Sequence, residues 1–432
     1  MRRHYLGMSG GAVASKLLGA LREILLARFF GTGAVSDAYR ASLTATLSPV
    51  HLLTTHLVQT SFIPLFRRCH GEDPERAAAL YRILLLCFVA LGLLLGALLF
   101  LGAEAIVGVL VAGFDAQRQA IARAMLRVMA LGVPPYLYCA LLSSLGAAQR
   151  DFLIPSLRPG LQNVGMLVMI TVAALAERPV LAAYGFTITY WALALGATLL
   201  LRRRGELPAP AAGVPRAWIG ELLARLWQPL RPLLGYSALL QASLLIERHL
   251  SSRVGDGTIA ALEYARFVTE SAFALLIVPL GLVGLSHFAD LRDDELAARA
   301  ERILGLLLLA LIPVSAFLVI NGRELLSLLY QRGAFDARSL ELTTRALLGL
   351  GAGLWIVSAS AFLRGVFHAR MRNHEVLRAE GWGIALQVGF LLLTYRVLGI
   401  LALGLGPAVA ALVALAIYAR RSRLCLRAGW RA

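Results

Sequence analysis

The sequence predicts an all-α polytopic membrane protein with about 12 transmembrane helices, in two six-helix halves around a central cavity. Three observations lead there. Hydrophobic residues fill 59% of 432 positions and charged residues only 16%, and a mean hydropathy of +0.72 is too apolar for a soluble globular chain. Apolar runs of roughly 20 residues, the length that crosses a hydrocarbon core, recur from end to end. Arginines gather in the short loops between them.

Taken in order, the first two spans, about 8–30 and 38–64, are weakly hydrophobic and rich in Ser, Thr, Gly and His, which suits helices facing a bundle interior. The first carries Lys16 and Arg22 among leucines, with Glu23 adjacent, and ends in the turn Gly31-Thr32-Gly33 before Asp37. At the bilayer centre each such cation costs about 2.5–3.5 kcal/mol to insert, so both are functional-site candidates. The third span, LLLCFVALGLLLGALLFLG, is apolar on every side and is expected to face lipid. Spans four to six fall near 124–147, 154–176 and 179–201, and include Pro134, Pro135 and Pro159. Residues 203–231 form a polar stretch, whose Pro/Ala/Gly part reads as a linker and whose AWIGELLARLW reads as an amphipathic helix on the membrane surface. That stretch divides residues 1–202, the N-terminal half, from 232–419, the C-terminal half; 420–432 is a basic tail. Spans seven to twelve fall near 232–252, 257–288, 302–321, 342–367, 376–397 and 399–419.

If the spans alternate, the arginine clusters at 67–82, 202–216, 364–378 and 420–427 share one side, which predicts both termini in the cytoplasm. The same distribution accounts for the net charge of +17: nucleic-acid binding needs basic residues gathered on one face or segment, and here they are dispersed among loops. The four cysteines show no metal-ligand or CxxC spacing, and Cys87 and Cys139 are expected to pack within spans. No cofactor or metal is expected.

Four strings spread along the chain carry a family resemblance: SKLLGALREILLARFFGTGAVSDAY from Ser15, RDFLIPSLRPGLQNVG from Arg150, EYARFVTESAFALLIVPLG from Glu263, and LLYQRGAFDARSLELTTRALLGLGAGL from Leu328. In this order the chain resembles the MurJ (MviN) family of lipid II flippases, within a superfamily of multidrug, oligosaccharide-lipid and polysaccharide exporters. The resemblance implies a flippase that carries an undecaprenyl-pyrophosphate-linked glycan, the peptidoglycan precursor lipid II, across the bacterial inner membrane by alternating access. Membrane lipids and cell-envelope biosynthesis proteins are the further partners it implies. It also implies that Lys16, Arg22 and Arg266 bind the pyrophosphate. Arginine suits that task because its planar fork donates paired hydrogen bonds to phosphate oxygens. The competing reading is that these cations pair with Glu23 and Glu263 or snorkel to the interface.

Other residues stay open at this level. Asp37 either caps the second helix or forms a gate with a basic residue. Glu247, Arg248 and His249 line a cavity or pair near the interface. Gln162 and Asn163 line the path or bond between helices. His51 and His56 stand where the family usually carries a basic pair and an Ala-Glu-Gly segment, so they either weaken the anion field or pack as imidazoles. The family usually has two helices beyond the twelfth, which makes a lipid-linked exopolysaccharide or other glycan unit the alternative cargo. A cation or drug antiporter and a non-transporting scaffold are the remaining alternatives. An enzyme on the same lipid carrier would need paired carboxylates or a metal motif in a polar loop, and none is present.

Overall fold

The computed structural model describes residues 2–56, 61–208, 215–288, 293–370 and 372–422. Sixteen α-helices and no strand occur among them: α1 (Arg2–Phe30), α2 (Ala34–His56), α3 (Ile63–Glu72), α4 (Pro74–Leu101), α5 (Ala103–Leu110), α6 (Ala116–Ala130), α7 (Val133–Ala148), α8 (Leu153–Leu175), α9 (Leu181–Arg203), α10 (Arg216–Val254), α11 (Thr258–Phe288), α12 (Asp293–Ile320), α13 (Gly322–Tyr330), α14 (Ala337–Ala369), α15 (Asn373–Leu398) and α16 (Ile400–Ser422).

Each expected span overlaps one of the longer helices or, for the fourth, the pair α6 and α7; the second, expected to reach residue 64, is helical to His56, and residues 57–60 lie outside the described ones. α6 and α7 meet at a bend of 45° where Gly132 is followed by Pro134 and Pro135. Among the described residues six helices are long and apolar enough to cross a membrane, and the bent pair makes a seventh. They are α4, α9, most of α12, α14, α15 and α16. α8 falls short of that measure because Arg158, Gln162 and Asn163 lower its hydropathy. On α4, Leu86, Leu93, Leu94, Leu98 and Leu101 are exposed. Exposed leucines along a helix of that length belong in hydrocarbon. Cys87 faces outward with them, contrary to its expected packing role, whereas Cys139 is buried.

The chain forms two compact units. The first comprises Met1–Phe30 and Ala34–Gln241; the second comprises Gly31–Gly33 and Ala242–Ala432. The split between these units falls inside α10. The stretch expected to hold a separate surface helix is instead the start of one continuous 39-residue helix. α10 runs on through prolines 229 and 232. The basic tail lies outside the described residues from residue 423 onward.

Within the first unit, polar side chains fasten helix pairs: Ser42 Oγ on α2 donates to the Ala122 carbonyl on α6 at 2.9 Å, and Asn163 Nδ2 on α8 donates to the Ser15 carbonyl on α1 at 3.0 Å. Arg76 of α4 stacks 5.1 Å from the Trp218 ring at the start of α10. In the second unit α14 and α16 approach so closely that Gly349 lies against the backbone of Gly404, where a side chain's Cβ would sit 2.9 Å from main-chain atoms. Asp336 ends the loop of the string QRGAFD and caps α14, its carboxylate accepting from Ser339 N–H at 2.8 Å.

That backbone hydrogen bond holds the Asp336 carboxyl below its ordinary value. A depressed carboxyl stabilises the fold above the unfolded-state value and loses that contribution as pH falls through the folded one. Asp336→Ala should therefore cost about 1 kcal/mol at neutral pH. The cost should shrink on acidification, as read by melting temperature in detergent across pH; a penalty that grows with acid would contradict the cap.

Candidate functional site: two buried charge clusters and a cavity

In the first unit, α1 presents Arg22 and Glu23 on adjacent positions and α2 presents Arg40. Arg22 Nη2 donates to Glu23 Oε1 at 2.7 Å and Arg40 Nη2 donates to Glu23 Oε2 at 2.5 Å. Arg22 Nη1 also donates to Asn163 Oδ1 on α8 at 2.9 Å. Two guanidiniums share one buried carboxylate. Lys16, on the same helix, is exposed. Asp37 lies in the first turn of α2 and is fully buried. His56 ends that helix, and its side chain lies outside the described residues.

In the second unit, the end of α10 and the start of α11 build a quartet. Arg266 Nη2 donates to both carboxylate oxygens of Glu247, at 2.7 and 2.8 Å, and its Nη1 donates to Glu263 at 2.5 Å. Glu263 also accepts from Arg248. Glu247 and Arg248 are buried, while Arg266 and Glu263 are partly accessible. Two cations meet two anions, and these four residues balance. The structure thus brings Glu247, Arg248, Glu263 and Arg266 together, and separately Arg22 with Glu23. Pairing of Arg22 with Glu23 and of Arg266 with Glu263 is the arrangement the competing reading of the sequence describes.

A third feature has no counterpart in the sequence reading. α2, α3, α7 and α8 line a cavity of about 350 Å³, and α7, α8 and α9 line an adjoining one of about 300 Å³; Tyr136, Ser143, Pro155 and Arg158 line both. His51 and Thr54 line the first, and Gln162 and Tyr190 the second. The Arg158 guanidinium carbon lies 4.5 Å from the centre of the Tyr136 ring and 5.5 Å from that of Tyr190. His51 Nε2 is 3.2 Å from Tyr136 Oη, and Tyr190 Oη donates to Gln162 Oε1 at 2.5 Å. Gln162 therefore lines a cavity while Asn163 bonds between helices. An arginine within an otherwise apolar run, at position 158 of span five, was the available signal for this cavity.

A family model described as lipid II flippase MurJ matches residues 26–430 of the chain. The chain is 28% identical over 425 residues to the probable lipid II flippase MurJ of Bdellovibrio bacteriovorus, covering 94% of this chain and 79% of that one. It is 26% identical over 390 residues to the lipid II flippase MurJ of Burkholderia cenocepacia, covering 85% and 73%. Among solved structures, a lipid II flippase MurJ in an inward closed conformation superposes with a TM-score of 0.82 at 16% identity, over 96% of this chain and 87% of that one. An inward-facing multidrug resistance MATE family transporter of the MOP superfamily gives 0.74 at 15% identity, over 96% and 95%. The fold is shared with both.

Proposed function

Because this chain belongs to the lipid II flippase MurJ family, we propose that it moves lipid II, an undecaprenyl-pyrophosphate-linked glycan, from the cytoplasmic to the outer leaflet of the bacterial inner membrane by alternating access. The observation that carries this reading is the family match over residues 26–430. The buried cluster of Arg22, Glu23 and Arg40 on the first two helices agrees with it. A pyrophosphate crossing hydrocarbon must exchange water for other hydrogen-bond donors, or the desolvation cost blocks passage. Lys16 and Arg22 in the first unit and Arg266 in the second are the proposed donors. Glu23, Glu247, Glu263 and Arg248 hold those arginines in place, and Asp37 is a proposed gate residue. Arginine-rich loops between alternating spans support cytoplasmic termini.

The test is native mass spectrometry of the purified protein with lipid II and with a lipid-linked exopolysaccharide unit, paired with flipping in liposomes. Selective binding and flipping of lipid II, lost in Arg22→Ala and in Arg266→Ala, is the expected result. Selectivity for the exopolysaccharide unit, or transport unaffected by both substitutions, would overturn it. Arg22→Lys should keep only part of the transport rate, because the charge survives and the bidentate fork does not; a wild-type rate would reduce Arg22 to a point charge.

A further inference from the structure

The arginines of the two charge clusters, and Arg364 on α14, all face carboxylates: Arg22 and Arg40 meet Glu23, Arg248 and Arg266 meet Glu263, and Arg364 meets Glu380. Arg158 does not. It sits half-buried on α8 against two tyrosine rings, and no carboxylate among the described residues pairs with it. The rings' negative faces hold the guanidinium and Tyr190 Oη takes one of its hydrogen bonds, which leaves its other N–H groups for an acceptor. The wall beside it holds Ser143, whose buried Oγ has no hydrogen-bond partner. A cavity of about 350 Å³ falls within the size of ligand sites and is too polar at this end to stay dry. An uncompensated cation, an unused hydroxyl and an imidazole from His51 thus converge on one space.

We propose that this cavity is an anion site, with Arg158 donating to a phosphate group and Ser143 Oγ–H adding a second hydrogen bond. Phosphate is the chemistry that matches: its oxygens accept from the guanidinium fork and its charge offsets a cation that no carboxylate among the described residues pairs. The identification of the phosphate with the cargo's pyrophosphate rests on the flippase reading; the anion site does not. Arg158 then acts on the same headgroup as Arg22, from another place in the first unit.

The test is binding to the purified full chain in detergent, with three probes: inorganic pyrophosphate, undecaprenyl pyrophosphate, and undecaprenol as the uncharged control. Wild type should bind both phosphates. Arg158→Ala should weaken both by about 10- to 100-fold, the range for losing a hydrogen bond to a charged group. Arg158→Lys should fall between, and undecaprenol should be indifferent to either change. Arg158→Ala within twofold of wild type for both phosphates, or a wild type that binds neither, overturns the site. A wild type that binds inorganic pyrophosphate through Arg158 and ignores the lipid upholds the site and removes the flippase reading. If Arg158→Ala does not fold, Ser143→Val carries the test, since it leaves the stacked arginine in place; weaker phosphate binding is expected, and unchanged binding overturns the proposal.

Discussion

Glu23→Ala is expected to destabilise the protein by about 3–5 kcal/mol, the usual cost of removing one member of a buried ion pair. Its carboxylate is buried and accepts from Arg22 on its own helix and Arg40 on α2. Without it, two guanidiniums confront each other in a space with little water to screen them. Transport should fail as well, since Arg22 loses the contact that sets its orientation. Glu23→Gln keeps the shape and one acceptor but not the charge, and should fall between. Melting temperature in detergent and flipping in liposomes read the two effects separately. A Glu23→Ala protein that melts like wild type would show that the pair is not a structural anchor. Combining Glu23→Ala with Arg40→Met should recover part of the stability, because the stranded charge goes with its partner.

The second large effect is at Gly31. Its φ of +53° lies in the left-handed region, which costs an L-residue about 1–2 kcal/mol. A Cβ there would also collide with the carbonyl oxygen of Ala334, and main chain cannot swing aside as a long side chain does. Gly31→Ala should therefore lose about 2–4 kcal/mol once overpacking is included. The turn has more to lose than that one contact: Tyr264 Oη donates to the Gly31 carbonyl at 3.0 Å, and Thr32 Oγ1 lies 2.9 Å from Ser339 Oγ. Gly33→Ala is the control, because Gly33 is exposed and is not among the left-handed glycines. Equal melting of the two variants would remove the steric argument.

Helix positions were readable in the sequence because the solvent requirement is strong: a lipid-facing run such as Leu84–Gly102 has no other use, and α4 occupies it. The charged cluster residues were readable for the converse reason, since Arg22 or Arg266 inside a span is costly enough to be noticed. Their partners were less so. That Glu23 binds Arg40 seventeen positions away depends on how α1 and α2 pack, and side-chain period on one helix does not contain that information. The surface helix expected within residues 203–231 is the start of α10, which continues through prolines 229 and 232. Arg158 escaped notice for a different reason. Its environment is made by Tyr136 on α7 and Tyr190 on α9, and only packing shows that those rings replace the carboxylate that the other buried arginines have.

The turn at Gly31–Gly33 also orders events during synthesis. Its hydroxyl donor, Tyr264, follows Gly31 by 233 positions, and Ser339 follows Thr32 by 307. A ribosome adding about 5–20 residues per second reaches Tyr264 roughly 10–50 s after it has finished the turn. For that interval α1 and α2 are joined by a link whose partners do not yet exist. The nascent chain must wait with its first hairpin unlatched, and translation of the second unit supplies the latch. A chain stalled near residue 250 should accordingly label readily at a cysteine placed at Thr32, and the same cysteine should become protected once residue 340 has emerged; equal labelling at both lengths would mean that the latch closes without them.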